Sequence, residues 1–115
     1  MRRSQRLRHQ ADFNAVYKRG KVFAERLLVV RVLENGALPA ARFGFVVSKR
    51  LGNAVKRNHI KRQLRSAALS SGANGQVDIV VTARVNAAQA NYHELESALH
   101  GILKKAGLGN HEENR

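Results

Sequence analysis

The residues of this sequence that are best suited to chemistry are Lys and Arg, and they concentrate between Lys49 and Arg65. No Asp or Glu occurs between Glu34 and Asp78, a stretch that holds eight Lys and Arg residues. Within it, five residues recur at helical spacing and would form one broad face of a helix, here called the basic face: Arg57, Asn58, Lys61, Arg62 and Arg65. Like charges at this spacing destabilise an isolated helix. Because guanidinium groups bind phosphate oxygens in pairs, we interpret the basic face as a phosphate-binding surface, the alternative being a solvated helix face.

The composition limits the class of protein. The 115 residues carry 21 Lys and Arg against 8 Asp and Glu, a formal net charge of +13, which predicts a polyanionic partner. There is no Cys, and no apolar run reaches the roughly 20 residues that span a bilayer. We expect one soluble, cytoplasmic domain over residues 1–115, ordered over about residues 6–108, with frayed ends at 1–8 and 108–115.

Apolar spacing and turn residues predict an α+β fold in which helices pack on a small mixed sheet. Asn53 is the predicted N-cap of the middle helix, and Asn91 with Glu94 forms a capping box for the last. We expect the second strand to pair with the first as a hairpin. The predicted order is α-β-β-α-β-α: helix 11–19, strand 21–33 (in one piece or broken near Glu25), strand 42–49, a helix from 54 to about 69, strand 77–83 and a helix from 91 to 105.

The segment Lys49–Arg65, here called the signature segment, resembles that of the bacterial ribonuclease P protein component. That family carries Gly-Asn-Ala-Val followed by Arg-Asn-x-x-Lys-Arg-x-x-Arg, and Gly52 to Arg65 matches it in order and spacing. Asp12-Phe13 with Tyr17 and Gly20 resembles the family's first helix, and residues 78–84 resemble the strand that follows the signature helix. Three departures are visible: His59 where many members carry Arg, residues 66–70 without the usual extra Glu and Arg, and Arg31 where an aromatic residue can occur.

The resemblance implies a subunit that performs no bond chemistry itself. In this family a large RNA removes the 5′ leader of precursor tRNA with bound Mg²⁺, and the protein assists it. The implied partners are ribonuclease P RNA and precursor tRNA, with no membrane and no obligate protein partner. The family fold also implies a left-handed β-α-β crossover around the signature helix, against the usual right-handed rule. The resemblance assigns binding of the catalytic RNA to the signature segment, namely Lys49, Arg50, Asn53, Lys56, Arg57, Asn58, Lys61, Arg62 and Arg65.

The resemblance also implies a cleft between the first helix and the sheet that holds the single-stranded leader. Phe13 and Tyr17 lie one helical turn apart, and single-stranded nucleic acid stacks on aromatic rings within basic grooves. Strand alternation places Arg31 on one face with Leu27, Val29 and Leu33. We therefore predict that Phe13, Tyr17 and Arg31 contact the leader, although Phe13 fits a core position equally well.

Two other classes of function are open to a small basic domain. A structural RNA-binding protein, for example of the ribosome, fits the charge and size, and only the signature segment argues against it. An independent nuclease is disfavoured because the five His residues show no metal-binding spacing and Ser4 and Ser48 lack a visible base.

Overall fold

The computed structural model describes residues 1–109, and these form an α+β fold, as predicted. No helix within this range is both long and apolar enough to cross a membrane. Short 3₁₀ turns at Arg3–Gln5, Lys49–Leu51 and Val85–Gln89 join the main elements. Those elements are α1 (Gln10–Arg19), β1 (Lys21–Ala24), β2 (Leu28–Glu34), β3 (Arg42–Val46), α2 (Ala54–Ser70), β4 (Val77–Ala83) and α3 (Tyr92–Lys105).

The first predicted strand is two strands, so the order is α-β-β-β-α-β-α rather than α-β-β-α-β-α. The break falls at Glu25, where the sequence left it open. The Glu25 carboxylate accepts hydrogen bonds from the backbone amides of Leu27 and Leu28, and the Glu25 amide donates to the carbonyl of Leu28 at 2.9 Å. These bonds close a tight turn, after which β1 and β2 pair antiparallel from Lys21↔Val32 to Ala24↔Val29.

The predicted hairpin between β3 and the preceding strand is wrong. The sheet order is β1-β2-β4-β3, so β4 lies between β2 and β3. β4 pairs antiparallel with β2 over seven residues and parallel with β3 from Arg42↔Asp78 to Val46↔Thr82. All of β4 except Thr82 is buried, and a strand covered on both faces is most stable at the centre of a sheet. The parallel β3–α2–β4 unit is the crossover that the resemblance implies; its left hand stays a prediction.

Helices α2 and α3 cover one face of the sheet and α1 covers part of the other. The apolar stripe of α2 (Ile60, Leu64 and Ala67) is buried in one core with Phe43, Ile79 and the α3 residues Leu95 and Leu99. Fully burying one such side chain stabilises the fold by about 1.5–3 kcal/mol. The capping box of α3 is present: the Asn91 side chain accepts from the Glu94 amide at 2.8 Å, and the Glu94 carboxylate accepts from the Asn91 amide at 2.9 Å.

Residues 1–8, here called the N-terminal arm, differ from the frayed end that we expected. The Leu7 amide donates to the Phe43 carbonyl at 2.8 Å, and Arg6 forms a parallel bridge with Phe43. The Leu7 side chain is buried with Val16 and Val80, which explains why the arm is held against the sheet. At the other end, the Gly109 amide donates to the Leu103 carbonyl; residues 110–115 of the predicted frayed end lie outside the described residues.

Candidate RNA interface

The signature segment begins with the 3₁₀ turn Lys49–Leu51, whose cationic side chains are exposed to solvent, and it continues into α2. Leu51 is buried and anchors the turn, whereas Lys49 and Arg50 are exposed. Gly52 has φ +139°, and a Cβ there would lie 2.8 Å from Cγ of Lys56, so the chain needs glycine at this position. Asn53 then caps α2, as predicted, because its Oδ1 accepts from the Lys56 amide at 2.9 Å. The Gly-Asn pair of the motif is thus explained by backbone geometry at the start of the helix.

The basic face of α2 lies beside its buried stripe and carries cations without acidic partners. Arg62 and Asn58 are exposed, whereas Arg57, Lys61 and Arg65 are half-buried, with their stems along the protein. Within residues 1–109 none of the Lys and Arg side chains of the signature segment lies within ion-pair distance of a carboxylate. Arg57 Nε donates to the Gly52 carbonyl at 3.2 Å, which leaves the other guanidinium donors available. The face therefore keeps its positive potential for a partner.

On the opposite face of the sheet, α1 crosses a row formed by three neighbouring strands. Gly44, Val80 and Arg31 are register partners and lie side by side in β3, β4 and β2. A Cβ at Gly44 would lie 2.5 Å from Cζ of Phe13, so glycine lets the ring lie directly on the sheet. Phe13 is half-buried and packs against the cluster of Leu7, Val16 and Val80, which favours the core role of the two that the sequence allowed.

Tyr17 and Arg31 meet at the other end of this row. Tyr17 is 44% exposed, and the guanidinium carbon of Arg31 lies 5.3 Å from the centroid of its ring. This is the geometry of a cation–π contact, which holds both side chains in place while leaving ring area uncovered. The structure thus brings together Tyr17 and Arg31, which the sequence placed in the leader cleft, with Phe13 one helical turn away.

The sheet face beside α1 is only partly covered, and this strip is here called the groove. Its floor is the next row of the sheet, Val46, Thr82 and Val29, all half-buried. Within residues 1–109 the hydroxyl oxygen of Thr82 is buried and makes no hydrogen bond. The floor leads into a cavity of about 510 Å³ at the carboxyl ends of the parallel strands β3 and β4, lined by Ser48, Arg50, Leu51, Thr82, Ala83, Arg84, Val85 and Asn86.

Sequence reasoning missed the Thr82 and Arg84 side of this cavity. Arg84 lines the cavity together with Arg50, and its Nη1 donates to the Glu25 carbonyl at 2.9 Å, which holds this side chain in place. A signal was available in principle, because ligands bind beyond the carboxyl ends of parallel strands. This rule requires the parallel pairing of β3 with β4, whereas the sequence predicted an antiparallel hairpin of β3 with the preceding strand.

A buried ion pair fixes α1 relative to the sheet. Arg42 of β3 donates from Nε to Asp78 Oδ1 at 2.7 Å and from Nη2 to Asp78 Oδ2 at 3.0 Å. Arg42 Nη2 also lies 3.5 Å from Asp12 Oδ2, in the first turn of α1. The hydrogen bond to the Asp78 carboxylate raises the pKa of Arg42, so the ion pair favours the charged guanidinium. Asp78, a lone carboxylate in the sequence, is a structural residue here.

A second polar cluster joins α2 to α3. The Ser70 hydroxyl lies 2.9 Å from Glu96 Oε2 and 3.1 Å from His100 Nε2, and both Ser70 and His100 contact the Ala67 carbonyl. Hydrogen bonds from Ser70 and Tyr92 lower the pKa of Glu96, and burial raises the pKa of Tyr92. Because the carboxylate accepts from the serine, the cluster does not have the order of a nucleophile, a base and an orienting acid. It links two helices, and within residues 1–109 no three His, Asp or Glu side chains are grouped to hold a metal ion.

Comparison with known proteins agrees with this geometry. The ribonuclease P family model matches residues 1–107. The ribonuclease P protein component of Staphylococcus epidermidis is 41% identical over 111 residues, 96% of each chain, and that of Listeria monocytogenes serotype 4a is 39% identical over 106 residues, 90% of this chain and 89% of the relative.

Solved structures share the fold. The RNase P protein of Staphylococcus aureus superposes with a TM-score of 0.84 at 37% identity, covering 92% of this chain and 98% of that one. The RNase P protein of Thermotoga maritima superposes with a TM-score of 0.79 at 29% identity, covering 87% of this chain and 96% of that one. A common fold and this degree of identity over most of both chains show that the chain belongs to the bacterial ribonuclease P protein family.

Proposed function

We propose that this chain is the protein subunit of ribonuclease P and assists removal of the 5′ leader from precursor tRNA. The observation that carries the proposal is the presence of two surfaces for RNA on opposite faces of one sheet. The basic face of α2 lies on one side, and the groove beside α1 lies on the other. A protein with this arrangement can hold two RNA segments at once and fix their relative position.

The basic face and the turn before it are proposed to bind the catalytic RNA. Their cations have no acidic partners within residues 1–109, so bound phosphates would not have to displace an ion pair. Each phosphate neutralised by Lys or Arg contributes a slope of roughly 0.7–0.9 in log affinity against log salt. Between 1 M and 0.1 M salt, this slope means that one such contact strengthens binding about sixfold. Several contacts along one helix are sufficient for stable binding to a folded RNA.

The groove is proposed to bind the leader. Tyr17 offers exposed ring area, Arg31 supplies positive charge beside it, and the apolar floor of Val29 and Val46 suits unpaired bases. The cavity at the end of the floor is lined by two cationic residues, Arg50 and Arg84, which suit a phosphate of the same strand. A mature tRNA, whose bases are mostly paired and stacked, would not use this groove.

The chemistry is proposed to belong to the RNA, with Mg²⁺ bound there. The protein's own contribution is positive charge, which substitutes for screening ions around closely packed phosphates. We place this activity in the cytoplasm. A structural RNA-binding protein would share the basic face but would have no use for a groove that distinguishes single-stranded leader.

The test is reconstitution with ribonuclease P RNA. The purified, RNA-free protein should not cleave precursor tRNA, but it should accelerate cleavage by the RNA at low Mg²⁺. The double variant Arg57→Gln/Arg62→Gln should lose most of this acceleration, whereas Arg26→Gln, an exposed charge in the β1–β2 turn, should retain it. Metal-dependent cleavage by the protein alone, or no effect on the RNA, would refute the proposal.

A further inference from the structure

The N-terminal arm carries four cations that the proposed function leaves unused: Arg2, Arg3, Arg6 and Arg8. All four are exposed, and within residues 1–109 none lies within ion-pair distance of a carboxylate. Four like charges on eight residues repel one another and favour release of the arm into solvent. The arm is nevertheless bound to the sheet, so its position needs an explanation.

The arm is held beside β3 by a single β-bridge. Arg6 bridges Phe43 in parallel, and the Leu7 amide donates to the Phe43 carbonyl at 2.8 Å. Leu7 faces α1 and is buried, with its Cβ 3.2 Å from the position that a Cβ on Gly44 would occupy. A single buried leucine and the backbone bridge therefore fix where the arginines stand.

Alternation along the arm directs Arg6 to the face of the sheet that α2 covers. Side chains of bridged residues lie on the same face, and Phe43 belongs to the core beneath α2. Leu7, the next residue, points to the opposite face and is buried with Val16 and Val80. Arg6 is thus on the same side of the sheet as α2, and not in the groove beside α1.

The arm also lies against the flank of α2 on which the basic face stands. Lys61, Arg65 and Leu69 follow one another at i, i+4 and i+8 on this flank. Met1 and Gln5 of the arm line one cavity of about 260 Å³ together with Ala68 and Leu69, at the end of that row. The α3 contacts, through Ser70, lie on the other flank. Arm and basic face are therefore neighbours.

We propose that the N-terminal arm extends the phosphate-binding surface of α2, so that Arg3, Arg6 and Arg8 bind backbone phosphates of the same structured RNA that the basic face binds. This inference rests on the proposed function and adds a second element to its RNA interface. The docked arm keeps its cations beside the helix, and RNA phosphates offset the repulsion among them.

The test is a salt titration of binding to ribonuclease P RNA in the absence of substrate. Arg3→Gln, Arg6→Gln and Arg8→Gln, each alone, should reduce the slope of log affinity against log salt by roughly 0.7–0.9 and weaken binding about sixfold at 0.1 M salt. Arg26→Gln removes the same charge from the distant β1–β2 turn and should change neither quantity. Thermal melts check that each variant is folded.

Arg62→Gln, measured in the same series, separates the two proposals. A reduced slope for Arg62→Gln with wild-type behaviour of all three arm variants would overturn the arm inference and leave the basic face in place. A reduced slope for the arm variants alone would support the arm and contradict the assignment of α2. If the arm variants weaken only precursor tRNA binding to the assembled holoenzyme, the arm contacts the substrate and the inference is wrong.

Discussion

Replacing Tyr17 by Ala tests the groove with little risk to the fold. The ring is 44% exposed and its recorded ring contact is with the Arg31 guanidinium, 5.3 Å from its centroid. Substitutions at such surface positions change the free energy of unfolding by about 0.5 kcal/mol or less. Any large effect on RNA binding would therefore come from the lost ring and not from unfolding.

The magnitude follows from stacking. One base stacked on an aromatic ring contributes about 1–3 kcal/mol, which corresponds to roughly fivefold to 150-fold in affinity. We expect Tyr17→Ala to weaken precursor tRNA binding to the holoenzyme within this range. Tyr17→Phe keeps the ring and its cation–π contact with Arg31, so it should bind within about twofold of wild type.

The assay measures the affinity of the holoenzyme for precursors with leaders of increasing length and for mature tRNA. Wild type and Tyr17→Phe should gain affinity as the leader lengthens, and Tyr17→Ala should lose part of that gain while binding mature tRNA and catalytic RNA normally. A folded Tyr17→Ala variant with the full dependence on leader length would show that Tyr17 is not part of the groove.

Three further predictions concern the basic face and the two polar clusters. Arg62→Lys should weaken binding to catalytic RNA without changing the salt slope, because the charge stays and the planar fork is lost; an unchanged affinity in a filter-binding titration would contradict this. Asp78→Asn should lower the free energy of unfolding in urea by about 1–3 kcal/mol, because the half-buried Arg42 loses its nearest carboxylate and keeps only Asp12 at 3.5 Å, whereas the more exposed Asp12→Asn should cost at most about 1 kcal/mol. Glu96→Gln should reduce the melting temperature at neutral pH, and this difference should shrink as the pH falls below about 4.3, since a carboxyl with a lowered pKa stabilises only while it is ionised; a difference that stays constant down to pH of about 3 would refute it.

Local features of the fold were predictable because their causes are local. The bounds of β4 (77–83) agree with the apolar run in the sequence, and the caps at Asn53 and Asn91 form the predicted hydrogen bonds. The partner of β3 was not predictable in this way. A hairpin with β2 is the shortest connection, but it would place the most apolar strand at an edge, and only the packed sheet decides between the two.

The candidate site likewise has parts that depend on local sequence, which were predicted, and parts that depend on the packed sheet, which were not. The basic face followed from helical spacing, and Tyr17 with Arg31 followed from the resemblance and strand alternation. Thr82 and Arg84 were missed because they belong to a cavity made by two strand ends, Val46 and Ala83, that are 37 residues apart along the chain. The docked arm escaped because four arginines dominate its composition and conceal the one leucine that holds it.

The central position of β4 determines when the two proposed RNA surfaces arise during synthesis. β2 and β3 do not touch in the finished sheet, and both pair with β4, which ends at Ala83. At roughly 5–20 residues per second, the chain needs several seconds to extend from the end of β2 to the end of β4. Until β4 is made, α1 cannot pack against Val80 and α2 cannot pack against the completed sheet. A nascent chain therefore meets RNA as a flexible polycation, and it becomes a selective binder only when its penultimate main element is made.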